Sequence, residues 1–281
     1  KEREKPFFLW LHFFDPHADY EAPAEIADRF PGERYLAEVA FMDRELGRVL
    51  KALEEKGLRK NTIVAVTGDH GESLGDHGER SHGIFVYDST VRVPLLFTGR
   101  GIPAGRRVDS VVRSADIAPT LLELARMRSE PVDGSSLLAL MRGETDAPRT
   151  AYSEVFAPRL NFGWSELRAM RTANGKYIDA PRPEYYDVRS DSAEARNLFT
   201  NPSAPPEGAR PLIAAVRSAA RVDPFTTGKS QEAKLDPETR RKLAALGYIT
   251  TGAETKRTRP RPDPKDRIVY WEQFQEAQAA I

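Results

Sequence analysis

A chain of 281 residues is long enough for one large domain or two ordinary ones. Its 42 Lys and Arg balance 42 Asp and Glu, and a pI near 7.2 excludes general phosphate-backbone binding, which needs clustered excess cation. A hydrophobic content of 40%, with 13 Phe, 9 Tyr and 3 Trp, excludes wholesale disorder. The lack of Cys excludes disulfides, thiolate metal sites and a Cys nucleophile within these residues.

The first five residues are a charged surface segment. Residues 6–14 (PFFLWLHFF) form an apolar, aromatic run that predicts a strand buried on both faces of a parallel sheet. The run falls far short of the roughly 20 apolar residues a bilayer crossing needs, and no other segment reaches that length. With no initiating Met and no signal peptide, the sequence reads as a piece of something longer. A loop, DPHADYEAP, follows. Residues 33–56 carry helical spacing, with Leu36, Val39, Met42, Leu46, Val49, Leu50 and Leu53 on one face, and Gly57 is a natural stop. Residues 62–67 (TIVAVT) predict a second buried strand, so a parallel sheet with a right-handed crossover is expected.

A polar, glycine-rich loop comes next, GDHGESLGDHGERSHG. Strands are expected at 93–98 and, shorter, near 109–113. Ser114 or Asp116 is expected to cap a helix, IAPTLLELA, with Pro119 in its first turn. Up to residue 148 the fold class is α/β, a mostly parallel sheet flanked by helices. Residues 149–200 change character. AYSEVF, LRAMRTANGKYI and EYYDVRS alternate with turns, and Asn174-Gly175 signals a hairpin, so a small antiparallel sheet is expected. Residues 201–250 read as linker and packing helices, at 211–221 and 236–246. Residues 251–281 read as a basic linker and the start of a helical segment.

The chemistry gathers early. The five His are His12, His17, His70, His77 and His82, and four of them sit in loops that follow predicted strands. In an open α/β sheet ligands bind at the carboxyl ends of strands, which would bring His17, Asp69, His70 and His82 to one place. Asp69-His70 offers one hard oxygen and one borderline nitrogen, a pair that suits Zn, Mn or Fe better than Ca or Mg. Gly68 and Gly71 on either side would let the chain leave strand geometry. Two ligands do not complete a shell. Asp76-His77 repeats the pair and ranks below it, as polar decoration of a glycine-rich loop.

The string TIVAVTGDHGESLGDHG, followed by SHGIFVYDSTVRVPLLF, resembles the sulfatase branch of the alkaline phosphatase superfamily. HFFDPHADYEAP resembles that family's Pro-His loop. SADIAPTLLELA and NGKYI…EYYDVRSDSAEARNLF resemble its later core helix and small carboxy-terminal sheet. The resemblance covers roughly residues 6–200. It implies that Asp69 is a metal ligand, and that His70, where many sulfatases have Asn, is a second ligand or a sulfate contact. It implies that His17 contacts the sulfuryl oxygens or protonates the leaving group. His82 stands where many members carry a Lys for the same group, and an imidazole supplies that cation only when protonated. Glu72 and Asp76 are not carried over as catalytic.

The implied cofactors are one divalent metal, Ca by resemblance with Mn or Zn suggested by His70, and a formylglycine made from Cys or Ser in a C-x-P-x-R motif. That motif is absent here, so nucleophile and remaining ligands are expected upstream, and the 281 residues alone are expected to be inactive. The implied substrate is a small-molecule or saccharide sulfate ester, and the implied location is the bacterial periplasm or exterior. Two other readings stand beside this one. A phosphodiesterase, phosphonate monoester hydrolase or phosphotransferase of the same superfamily would carry the same Asp-His pair. A non-catalytic scaffold is the third. DPKDRIVYWEQFQEAQAAI resembles the opening of a tetratricopeptide-type array, which would offer a protein partner a surface; it equally fits a terminal helix packed on the domain through Trp271 and Phe274.

Overall fold

The computed structural model describes residues 5–128, 130–144, 147–222, 236, 238 and 260–279. Its contacts fall into two units, Lys1–Val64 with Thr98–Arg100, and Ala65–Phe97 with Gly101–Ile281.

In the first unit a short helix α1 (Ala24–Ala27) precedes the long helix α2 (Arg34–Glu55). The inward face of α2 runs through Tyr35, Glu38, Val39, Met42, Leu46, Val49, Leu50 and Leu53, close to the predicted stripe. Leu36 lies beside that stripe and is 46% exposed. Gly57, at φ 68°, ends the helix as predicted. Its amide donates to Glu54, and the Leu58 amide donates to Leu53, so two orphan carbonyls are satisfied. Residues 6–14 differ from expectation. They form no strand, and Phe8 and Trp10 are 80% and 78% exposed. A strand buried on both faces needs neighbours on both edges, and among the described residues this run has none.

The strands β1 (Val64–Thr67) and β2 (Leu95–Thr98), which lie in the second unit except for Val64 and Thr98, pair as a two-stranded sheet, and α3 (Asp88–Val91) lies between them in sequence. The strand expected near 109–113 is not formed. Val108 and Val112 instead pack, with Leu95 and Phe97, against Leu137, Leu138, Leu140 and Met141. Their apolar character serves burial rather than a ladder. The helix α4 (Ile117–Leu124) is present, yet neither expected residue caps it through its side chain. The Asp116 carboxylate turns back to accept from the Arg113 amide at 2.9 Å and the Ser135 amide at 2.8 Å. Arg113 and Arg149 also pair with it. Burial would raise its carboxyl, but the Arg113 guanidinium and the Ser135 and Arg113 amides hold it below the usual range.

The predicted antiparallel sheet is complete, in the order β3 (Ala151–Val155), β4 (Leu167–Arg171), β5 (Lys176–Asp179), β6 (Glu184–Tyr186). The turn before β5 contains Asn174-Gly175, and Arg171 stands opposite Lys176 across it. Alternation buries both faces. Leu167, Ala169, Ile178 and Tyr186 pack with Ile84–Tyr87 and Trp164, while Met170 and Tyr177 pack with Phe199 and with helix α5 (Ala209–Ala220). The helix predicted at 236–246 lies outside the described residues except for positions 236 and 238. A terminal helix, Ile268–Ala279, packs Trp271 and Phe274 around Phe162, at ring distances of 5.7 and 6.1 Å. No helix among the described residues is long and apolar enough to cross a membrane.

Candidate active site

The loop after β1 carries three of the candidate residues, Asp69, His70 and His82. At Gly71 a side chain has no room, because a Cβ there would lie 2.2 Å from the Ser89 carbonyl oxygen. The Gly71 amide donates to the Thr90 carbonyl at 2.7 Å, which lays the loop against α3. Neither Gly68 nor Gly71 takes a left-handed conformation. Close backbone approach, not the predicted conformational freedom, is what requires glycine at 71. Farther on, the Ser73 amide donates to the Ser81 carbonyl at 2.8 Å and joins the two arms of the loop.

This path brings His70 and His82 into contact. Their rings stack with centroids 3.8 Å apart at 29°. The His70 amide donates to Asp69 Oδ1 at 3.0 Å, and His70 Nε2 lies 3.8 Å from Asp69 Oδ2. His82 Nδ1 donates to Glu72 Oε1 at 3.3 Å, and the Glu72 side chain is only 4% exposed. Burial alone would depress the His82 pKa. The bond to Glu72, and then the charges of Glu72, Glu79 and Asp69, outweigh it and hold the imidazole above its ordinary value. The raised pKa extends upward the pH range over which His82 carries a positive charge. Glu79 is wholly buried and accepts from the amides of Ile84 at 2.7 Å and Phe85 at 3.2 Å. Burial, opposed by those two amides, pushes its carboxyl up to about 7.

Of the residues singled out in the sequence, Asp69, His70 and His82 are together. His17 belongs to the first unit. Its amide donates to Glu38 Oε2 at 2.9 Å, and the Glu21 amide donates to Oε1 of the same carboxylate at 2.6 Å. Thus α2 clamps the Pro-His loop from below through a buried acid. His17 Nδ1 donates to the Ala18 carbonyl at 2.6 Å, and the ring stacks on Phe14. His77 lies flat on Tyr87 at 3.5 Å and faces the Ala193 carbonyl, a packing role. Sequence reasoning missed Glu38, Glu72 and Glu79. An acid on the inward stripe of α2 was the available signal for Glu38; Glu72 and Glu79 had none.

Asp69 and His70 present an oxygen and a nitrogen side by side, which fits two positions of a divalent-metal shell. Among the described residues no group of three or more His, Asp or Glu could hold a metal, so the pair fits as part of a shell only.

Comparison with known proteins gives the context. Residues 1–127 match the family model "Sulfatase", and residues 75–207 match "N-sulphoglucosamine sulphohydrolase, C-terminal". A sulfatase of Formosa agariphila is 33% identical over 249 residues, which cover 72% of this chain and 48% of that protein. A protein solved with its substrate D-glucosamine-2-N,6-O-disulfate is 28% identical, with a TM-score of 0.53 over 72% of this chain and 43% of its own. A phosphonate monoester hydrolase of Silicibacter pomeroyi is 26% identical, with a TM-score of 0.54 over 67% of this chain and 40% of its own. The chain thus spans about half the length of the relatives it matches.

Proposed function

The chain belongs to the sulfatase family, and from that premise we propose that it forms the carboxy-terminal half of a metal-dependent sulfuric ester hydrolase. The observation that carries this reading is the stacked His70–His82 pair, with Asp69 beside one ring and Glu72 beneath the other. Asp69 and His70 would hold the metal, whose Lewis acidity would neutralise charge on the ester oxygens. With Nδ1 committed to Glu72, His82 could reach a sulfuryl oxygen only through Nε2, as a cationic donor. His17 of the first unit, its Nδ1 bonded to the Ala18 carbonyl, would offer Nε2 to a sulfuryl oxygen or to the leaving oxygen, as the family resemblance implies. The formylglycine nucleophile would lie outside these residues, which contain neither a Cys nor a matching Ser-x-Pro-x-Arg motif.

A saccharide sulfate ester is the substrate class with most support, from the N-sulphoglucosamine sulphohydrolase match and from the likeness to a protein that takes a glucosamine disulfate. An exported bacterial enzyme is the corresponding location. The likeness to a phosphonate monoester hydrolase favours a second reading, in which the same residues serve a phosphonate ester.

The test is turnover by the full-length protein of an aryl sulfate against an aryl phosphonate, with H82A and H82K beside the wild type. The sulfatase reading expects the sulfate to be preferred. It expects H82A to lose about 10²-fold in kcat/KM, as for removal of one charge-stabilising donor, and H82K to recover most of it. Preference for the phosphonate would move the assignment to the second reading. An unaffected H82A would remove His82 from the site.

A further inference from the structure

The terminal helix Ile268–Ala279 is separated from the His82 loop by nearly two hundred residues of sequence, yet it holds that loop. Glu272 Oε1 accepts from the Arg80 amide at 3.0 Å, and Glu272 Oε2 pairs with Arg80 Nε at 3.1 Å. Gln275 donates to Ser81 Oγ at 2.9 Å, and Glu276 pairs with Arg80 Nη1 at 2.6 Å. Positions 272, 275 and 276 share one face of a helix, so a single docked surface makes all of these contacts. Arg80 and Ser81 are the two residues before His82, and Glu272 and Ser81 are both buried. From the other side, the Ser73 amide fixes the Ser81 carbonyl. The loop is therefore gripped from both sides immediately before His82.

The docking is built to last. Trp271 and Phe274 sit around Phe162. Ahead of the helix, the Asp263 carboxylate accepts from the Arg182 amide at 2.9 Å, Lys265 pairs with Glu184 at 2.7 Å, and the Pro262 carbonyl accepts from the Ser165 amide at 2.8 Å. These contacts tie the segment to the strand β6 and to the turn before β4. A helix that needed only to cover apolar surface would not require a buried carboxylate aimed at a backbone amide; such a group is costly to bury and earns its place through the geometry it fixes.

We propose that Glu272 and Gln275 are positioning residues for His82, acting through Arg80 and Ser81 to keep the imidazole stacked on His70 and bonded to Glu72. This rests on the reading of His82 as a substrate contact. The decisive feature is the bond to the Arg80 backbone amide, which separates three variants. E272A removes it. E272Q keeps an oxygen for that amide and loses the ion pair with Arg80. R80A also loses the ion pair and keeps the amide bond.

Two measurements test this. In the full-length protein, kcat/KM for a sulfate ester is expected to fall about tenfold in E272A, the range seen for partners that orient a site residue, and to stay within about threefold of wild type in E272Q and R80A. In this 281-residue chain, amide hydrogen exchange at 73–82 is expected to speed up in E272A and not in E272Q or R80A. Should E272A fail to fold, Q275A is expected to show the same pattern more weakly. Equal losses in R80A and E272A would overturn the proposal in favour of a simple ion-pair anchor, and unchanged exchange and kcat/KM in E272A would overturn it outright. Faster exchange in E272A, in a full-length protein that turns over no sulfate ester, would instead refute the sulfatase reading and leave the clamp standing.

Discussion

Two stretches of this molecule invert the usual link between hydrophobicity and burial. Residues 6–14 hold seven of the exposed large hydrophobic side chains, with Trp10 78% exposed. The sheet β3–β6 buries Lys176, Arg168 and Glu184, with Lys176 only 1% exposed. The difference lies in where each strand finds its partners. β3 to β6 pair in sequence order through short connections, so the ladder closes within about 40 residues and supplies its own neighbours. The run at 6–14 has the composition of a central parallel strand, whose partners must come from distant segments. Apolar composition states a demand for burial; only a neighbouring strand can meet it.

The sharpest way to test the self-sufficiency of the sheet is to break its buried charge cluster. Lys176 Nζ lies 2.9 Å from Asp88 and 2.8 Å from Glu194, and Arg171 Nε lies 2.9 Å from Asp88. Despite burial, Lys176 and Arg171 hold the Asp88 carboxyl below its usual range. For Glu194 burial wins over Lys176, and its carboxyl lies above that range. K176A would leave two buried carboxylates short of a cation and is expected to cost about 3–5 kcal/mol in urea unfolding. A loss under about 1 kcal/mol would show that the cluster is solvated and that the sheet does not depend on it.

A second, somewhat smaller effect concerns the segment that packs on this sheet. Glu79 holds the amides that begin Ile84–Tyr87. Its carboxyl titrates near 4.5 when unfolded and at about 7 when folded, so the native state binds the proton more tightly. That stabilisation is full below pH 4.5 and is lost as pH rises through about 7, a change of about 3 kcal/mol. E79Q, always neutral, is expected to flatten the stability profile between pH 5 and 8. Urea midpoints that run parallel to wild type across that range would contradict the assignment.

The same contrast explains what the sequence disclosed. Helix α2, the strands β1 and β2 and the hairpin at Asn174-Gly175 rest on local signals, periodicity and turn chemistry, and they stand close to where those signals put them. Asp69, His70 and His82 were legible because they follow a strand end in a loop rich in glycine and histidine. The acids that hold the histidine loops were not. Glu38 serves amides 17 and 21 positions away, and Glu272 serves one 192 positions away, so their roles exist only once the chain is folded. The expected strands at 6–14 and 109–113 failed for the same reason: a ladder needs a partner, and composition does not supply one. Gly71 was noticed, but for conformational freedom, whereas the Ser89 carbonyl oxygen is what forbids a side chain there.

The smallest expected effect is the one most able to break the comparison. Trp10 is 78% exposed, so W10S in this 281-residue chain should change stability by no more than about 0.5 kcal/mol, as for most surface substitutions. Its indole should also be quenched freely by acrylamide, unlike that of Trp164, which is 8% exposed. In the full-length protein the same substitution is expected to cost about 3–5 kcal/mol, because there the run would lie between neighbouring strands as a buried aromatic segment. A large cost in the short chain would mean that residues 6–14 already find cover within it, and the contrast with β3–β6 would fall. A negligible cost in both would mean that the run is a surface element, and the reading of PFFLWLHFF as a central strand would have to be abandoned.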